Sequence, residues 1–190
     1  MTGYEVRSSR VTHDGVLSTV RVDQVVMPDG DVAEREVVEH ANAVAVVPVE
    51  ADGQVVLISH YRHAVGRRLL EIPAGKLDVD GESALEAARR ELTEEVGLVA
   101  GEMRPLLHFY NSSGWTDEAT TVYLAGRLAQ GKADSGFTAE AEEADLQVVR
   151  MPLTEALSAV DDGTICDAKT VIGLLLAARH LANDDPAPTS

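Results

Sequence analysis

Three carboxylates, Glu91, Glu94 and Glu95, fall within one short stretch, and Glu82 precedes them. With about 100° of rotation per helical residue, Glu94 lies about 60° to one side of Glu91 and Glu95 about 40° to the other, so all three share one face. Leu85, Ala88, Leu92 and Val96 recur at helical spacing on the adjoining face, which puts the acids at the border of a buried stripe. For stability alone the arrangement is poor. Like charges three or four residues apart repel by roughly 0.2 to 0.5 kcal/mol per pair. Anions in a last helical turn oppose the helix dipole by about 0.3 to 1 kcal/mol. Clustered carboxylates are what a hard, oxygen-seeking cation such as Mg2+ or Mn2+ takes as ligands, and a breach of local consistency is characteristic of functional sites. A solvated acidic face would use the same residues, and the helix by itself does not choose between the two.

The helix that must carry these groups runs from Glu82 to Val96, free of Pro and Gly and stopped at Gly97. Upstream, Ala43 to Val49 is an almost continuous apolar run, as in a strand buried on both faces, with Pro48 marking a bulge or its end. Ala51-Asp52-Gly53-Gln54 then turns the chain into Val55 to Tyr61, which predicts a central hairpin. Leu106 to Tyr110, Thr120 to Leu128 and Asp145 to Arg150 read as further strands, and Pro152 to Val160 and Ala168 to Leu181 as helices. Near the start, Ser18 to Val26 and Glu36 to His40 are β-rich, with turn compositions at His13-Asp14-Gly15 and Pro28-Asp29-Gly30-Asp31. The order predicts an α+β sandwich with a mixed sheet rather than alternating βαβ units. We divide it into a small antiparallel sheet over residues 1–40, a main domain over 41–182 and a fraying tail over 183–190.

The chain has 190 residues, 45% of them hydrophobic, enough for one core without disulfides. Its single cysteine, Cys166, cannot form an intramolecular disulfide and suits a reducing compartment. No apolar run reaches the length of a membrane span and no signal-peptide core opens the chain, so the expectation is a cytoplasmic protein. The formal charge of -16 argues against nucleic acid as a partner, because that binding rests on Lys and Arg neutralising phosphate. A small anionic substrate stays possible where a metal and a few arginines reverse the field within one cleft.

Taken with its context, the acidic helix has a more specific reading. Gly75, six residues, Glu82, seven residues, and then Arg90-Glu91-Leu92-Thr93-Glu94-Glu95-Val96-Gly97-Leu98 closely resembles the Nudix box, with one extra residue between Gly75 and Glu82. That insertion falls in a loop and leaves the helical spacing of the acids intact. The resemblance implies a Nudix-type α/β/α sandwich and an Mg2+-dependent pyrophosphatase, with Mn2+ a possible substitute. It implies that Glu91 and Glu95 bind metal, with Glu94 and the backbone carbonyl of Ala74 nearby, and that Arg90 orients the acids by ion pairing. Glu82 would brace the loop at the positive end of the helix.

Beyond the box, the chain is most similar to the ADP-ribose pyrophosphatases. The stretches Arg35 to His40, Tyr61-Arg62-His63, Glu71-Ile72-Pro73-Ala74-Gly75 and Gly163 to Thr170 carry that likeness. It implies ADP-ribose as substrate, AMP and ribose 5-phosphate as products, and Arg62 and Arg35 as substrate contacts; Arg67 and Arg68 read as solvated. The group's marker proline sixteen residues past Gly97 is here Ser113, although Gly114 and Glu118 fit the surrounding loop. That departure keeps another nucleoside diphosphate sugar such as GDP-mannose open. Glu118 is assigned to the substrate, and Trp115 is either a stacking surface or a buried anchor. The likeness implies a general base on an acidic loop before a late strand, with Glu143 first and Glu142 second, while Glu140 and Asp145 read as solvated. His60, His63, His108 and His180 read as structural. The likeness also implies a homodimer built through the N-terminal sheets. A catalytically silent nucleotide-binding module is the rival from another class, disfavoured by the complete acid set.

Overall fold

Alternating β-branched and charged residues make the N-terminal stretch a sheet before any packing is considered. The structure, a computed structural model, describes residues 4–132 and 145–184, which fall into two units. The first comprises Met1–Asn42 and Phe109–Ala119. In it, β1 (Glu5–Asp14), β2 (Thr19–Val26) and β3 (Val32–Glu39) form an antiparallel sheet in that order. Both anticipated turns are present, closed by Gly15 N donating to Ser18 O at 3.0 Å and Met27 N to Asp31 O at 2.7 Å. On β2, Arg21 donates through Nε to Glu39 of β3 at 2.7 Å and pairs with Asp23. Asp23 and Ala119 are the only buried residues among those described in this unit, so the sheet has no hydrophobic core of its own. Every residue of β1 is exposed.

The second unit holds the core. Its strands are β4 (Ala43–Pro48), β5 (Gln54–Arg62), β6 (Arg67–Glu71), β7 (Ala74–Lys76), β8 (Leu98–Tyr110), β9 (Ala119–Gln130) and β10 (Gln147–Pro152), the last two residues of β8 and the first of β9 belonging to the first unit, and its helices are α1 (Ala84–Val96), α2 (Leu153–Asp161) and α3 (Ala168–Asp184). One sheet has the order β7-β4-β9-β8 and is mixed, since β4 runs parallel to β9 and antiparallel to β7. The other, β10-β5-β6, is antiparallel. The predicted central hairpin is therefore corrected. The turn after β4 exists, but a single bridge, Val49 to Val55, joins its two arms before they enter different sheets. Pro48, which lacks an N–H to extend the ladder, does end β4. Two short strands, β6 and β7, were not foreseen; each is too brief for a period to show.

Val44 and Val46 of β4 share a buried cluster with Ala87, Ala88 and Leu92 of α1. On the other side of the sheet, a Cβ added to Gly173 of α3 would come within 2.9 Å of Val47 and 3.0 Å of Ile72, so α3 lies close against that face. The result is the helix, sheet, helix layering anticipated for an α+β sandwich. α1 begins with Ser83 as its cap. The Ser83 side chain accepts from Glu86 N, and the Glu86 carboxylate returns to Ser83 N at 2.8 Å. The helix ends at Gly97 in the left-handed region, φ 66°. Leu85 departs from the expected stripe, being 39% exposed, while Ala84 packs against the core in the first turn. Small alanines at 84, 87 and 88 bring the helix close to the sheet. Among the described residues no helix is long and apolar enough to cross a membrane.

Candidate active site

The acids of α1 are gathered by one guanidinium. Arg90 donates through Nε and Nη2 to the two oxygens of Glu82 at 3.0 and 3.1 Å, and through Nη1 to Glu91 at 2.6 Å and Glu94 at 2.9 Å. The bonds to Glu82 do most to raise the pKa of Arg90, against the opposing effect of burial. Glu82 is thus a brace for Arg90 rather than a free acid. The predicted pairing of Arg90 with Glu94 is present, and the pairs with Glu82 and Glu91 add to it.

Strand β7 meets these acids edge-on. It pairs with β4 through Ala45 to Ala74 and Val44 to Gly75, and α1 packs across both strands. Ala74 donates its N–H to Glu95 Oε2 at 2.8 Å. The Glu91 carboxylate fills the space where a side chain at 75 would stand: a Cβ added to Gly75 would lie 1.9 Å from Glu91 Cδ. Any side chain at 75 would therefore displace the Glu91 carboxylate. Burial pushes the Glu95 carboxyl up to about 8, and the negative Glu91 adds to the rise, while the Ala74 N–H and the charges of Arg62 and Lys169 oppose it. Glu95 accepts from one neutral donor, its other oxygen from none of the described residues.

A second charged group forms where β5, β6 and α3 meet. Glu71, fully buried at the end of β6, accepts from Arg62 Nε at 2.8 Å, Arg62 Nη2 at 2.7 Å and Lys169 Nζ at 2.5 Å. Burial alone would raise its pKa, but the Arg62 fork and the Lys169 charge outweigh burial and hold it at about 2. Lys169 also reaches Asp167 at 3.1 Å. Glu71 and Lys169 were quoted in sequence only as parts of longer stretches and given no role. A usable clue existed: Glu71 interrupts the apolar run Leu69-Leu70-Glu71-Ile72, and a charge buried in a strand requires a partner.

The sequence candidates thus divide. Arg62, Ala74, Arg90, Glu91, Glu94 and Glu95 belong to the second unit, and Arg35 and Glu118 to the first. Arg35 is exposed on β3, donating to the Glu34 carbonyl at 2.8 Å and lying 3.7 Å from Met27 Sδ. Glu118 is half-buried, 3.4 Å from His40 Nδ1. Trp115 is 55% exposed, which overturns the buried-anchor reading and leaves an open aromatic surface. Arg67 and Arg68 are exposed yet partnered, by Cys166 Sγ at 3.0 Å and by Asp145. His60 is buried in β5, and His108 contacts Thr121 at 3.0 Å. Glu140, Glu142 and Glu143 lie outside the described residues.

The donor set suits a hard divalent ion, being all oxygen, with a buried carboxyl at Glu95 that a nearby cation would let ionise. Among the described residues no three acidic, His or Cys side chains converge as they stand to hold one.

The chain resembles known proteins over most of its length. The NUDIX domain matches residues 39–171, and the nucleoside diphosphate sugar hydrolase N-terminal domain matches residues 4–38. The chain is 42% identical over 173 residues to an ADP-ribose pyrophosphatase of Mycobacterium tuberculosis (strain ATCC 25618 / H37Rv), covering 90% of this chain and 82% of that one. It is 35% identical to a GDP-mannose pyrophosphatase of Citrobacter koseri (strain ATCC BAA-895 / CDC 4225-83 / SGSC4696), covering 80% and 81%. A crystal structure of an ADP compounds hydrolase superposes with a TM-score of 0.83 at 25% identity over 97% of each chain.

The depressed pKa of Glu71 carries a stability prediction. A carboxyl that titrates at about 2 when folded and at its ordinary value of 4.5 when unfolded stabilises the fold fully above pH 4.5 and loses that contribution as pH falls toward 2. The shift corresponds to about 3 kcal/mol. In urea titrations the Glu71→Gln variant is expected to be less stable than the parent by that order at pH 7, with the gap closing between pH 4.5 and 2. A gap constant across that range would show that Glu71 is not held ionised.

Proposed function

The chain belongs to the Nudix family and is a hydrolase of pyrophosphate bonds, and from this we propose that its substrate is ADP-ribose, cleaved to AMP and ribose 5-phosphate. The observation that carries the substrate is the likeness to the mycobacterial ADP-ribose pyrophosphatase across 90% of the chain, N-terminal sheet included. GDP-mannose is the second reading, supported by the pyrophosphatases of that name among the relatives and by Ser113 at the marker position.

Family members work with divalent metal, and here we assign Mg2+, with Mn2+ able to replace it. Glu91 and Glu95 would hold it, assisted by Glu94 and the Ala74 carbonyl. When bound it supplies Lewis-acid withdrawal of charge from the diphosphate. Arg90 keeps Glu91 and Glu94 turned to their side of α1, offsetting their mutual repulsion. Arg62, Arg35 and Glu118 are the substrate contacts in this reading, the arginines matching phosphate oxygens with their planar forks. Glu143, or Glu142 beside it, removes a proton from the attacking water. That water adds to one phosphorus as the bridging P–O bond breaks, and the departing phosphate retains the bridge oxygen. The single cysteine supports a cytoplasmic location.

We assign residues 1–40 to dimerisation and substrate binding, and 41–182 to catalysis. A homodimer is supported by the coreless first sheet, where Tyr4, Val6, Val11, Val16 and Leu17 are all exposed.

Three measurements test this reading. On a panel of nucleoside diphosphate sugars with Mg2+, ADP-ribose is expected to have the highest kcat/KM; a tenfold preference for GDP-mannose or a UDP-sugar would establish the second reading. Light scattering should give twice the mass of the chain, and a fully active monomer would remove the dimer. Glu95→Gln should lower kcat at least about 10²-fold. In EDTA it should melt no lower than the parent. The raised pKa means that ionising Glu95 costs stability as pH climbs from 4.5 to about 8, and glutamine escapes that loss. Added Mg2+ should reverse the order, because only the parent gains fully from binding. Activity within tenfold of the parent would take Glu95 out of the site.

A further inference from the structure

Glu71 has more cations than its charge requires. The Arg62 fork already satisfies both of its oxygens, at 2.8 and 2.7 Å, yet Lys169 Nζ approaches Oε2 at 2.5 Å. Two cations on one carboxylate repel each other, so the second has to be held in place by something besides Glu71. Exposure orders the cluster: the Glu71 side chain is 1% exposed, Lys169 17% and Arg62 38%. Arg62 is the outward end. Its Nη1 donates to none of the described residues, which leaves one edge of the guanidinium unspent.

Lys169 is itself held. Asp167 Oδ1 lies 3.1 Å from its Nζ, and Asp167 Oδ2 accepts from Thr170 N at 3.0 Å and Thr170 Oγ1 at 2.6 Å. Thr170 Oγ1 in turn accepts from Ile72 N at 3.0 Å, so the first turn of α3 grips two consecutive residues of the β6 end. Glu71 is thereby held at Oε2, the oxygen that Arg62 Nη2 also reaches.

We propose that Lys169 is a positioning residue for Arg62: clamped between Asp167 and Glu71, it immobilises the Glu71 carboxylate so that Arg62 presents its unshared Nη1 edge to a phosphate of the substrate. This rests on the diphosphate reading above. A guanidinium fork locked by a fixed carboxylate offers its remaining edge in one orientation, and an anion meeting it loses less freedom than with a mobile side chain. Lys169 touches no substrate in this arrangement and acts only through Glu71 and Arg62.

A double-mutant cycle decides the matter. Arg62→Ala, Lys169→Met and the double variant are assayed for kcat and KM on ADP-ribose with Mg2+, and for ADP binding by calorimetry. Lys169→Met should raise KM about tenfold with kcat within about threefold, and the double variant should be no worse than Arg62→Ala, as for residues acting as a unit. Lys169→Arg, which can still bridge Asp167 and Glu71, should recover most of the loss and keeps the test open if Lys169→Met folds poorly. Losses that multiply in the double variant overturn the proposal, as does a fall in kcat at unchanged KM that tracks a lowered Tm. If the parent does not hydrolyse ADP-ribose, the substrate reading fails by itself, and the ADP cycle still tests Lys169. A parent that does not bind ADP overturns the proposal, since Arg62 would then have no phosphate to meet.

Discussion

Glu82, Glu91 and Glu94 converge on Arg90, and the second unit has to keep these like charges together beside the half-buried helix α1. Each acid alone would be better off in water, and pairs of them on one helical face repel. A single guanidinium with its donors spread over three carboxylates makes the crowding tolerable. Glu95 shares no hydrogen bond with that arginine and accepts from the Ala74 amide instead; burial pushes its carboxyl up to about 8, against the pull of that amide. The difference in partners follows from position: Glu91 and Glu94 face Arg90, and Glu95 faces the strand.

That strand is where the fold and the site meet. β7 has only three residues, Ala74–Lys76, and pairs with β4 over its whole length. Its first residue gives a backbone donor to Glu95 and its second gives up a side chain to make room for Glu91. Just upstream, Ile72 and Glu71 are tied to the start of α3. The segment from Glu71 to Gly75 is therefore held from both faces of the sheet, by α1 through the acids and by α3 through Thr170 and Lys169. Displacement of either helix would move the same five residues.

Much of this was legible in the residues. The helix, its stop at Gly97 and the clustering of Glu91, Glu94 and Glu95 followed from spacing, because a 3.6-residue period is a long and redundant pattern. So did the strands from Ala43 and from Val55. Their destination was not legible: a turn composition reports that the chain reverses, and nothing local says whether the arms then pair or join separate sheets. The place of Leu85 was misjudged for a related reason, since the wheel assigns a face but not how far the neighbouring sheet extends along the helix. Roles that depend on partners distant in sequence were hidden as well. Glu71 and Lys169 are 98 positions apart, and no period connects them. Arg62 was assigned to a substrate phosphate on the resemblance alone, whereas its fork to Glu71 needed the fold.

The cap at Ser83, the left-handed turn at Gly97, the Arg90 contacts and the alanine face against β4 are all made between protein atoms. None of these contacts passes through Glu95, whose described hydrogen bond is to the Ala74 amide, so replacing that residue leaves the framework of the helix in place, and a loss of activity there can be read apart from a loss of fold.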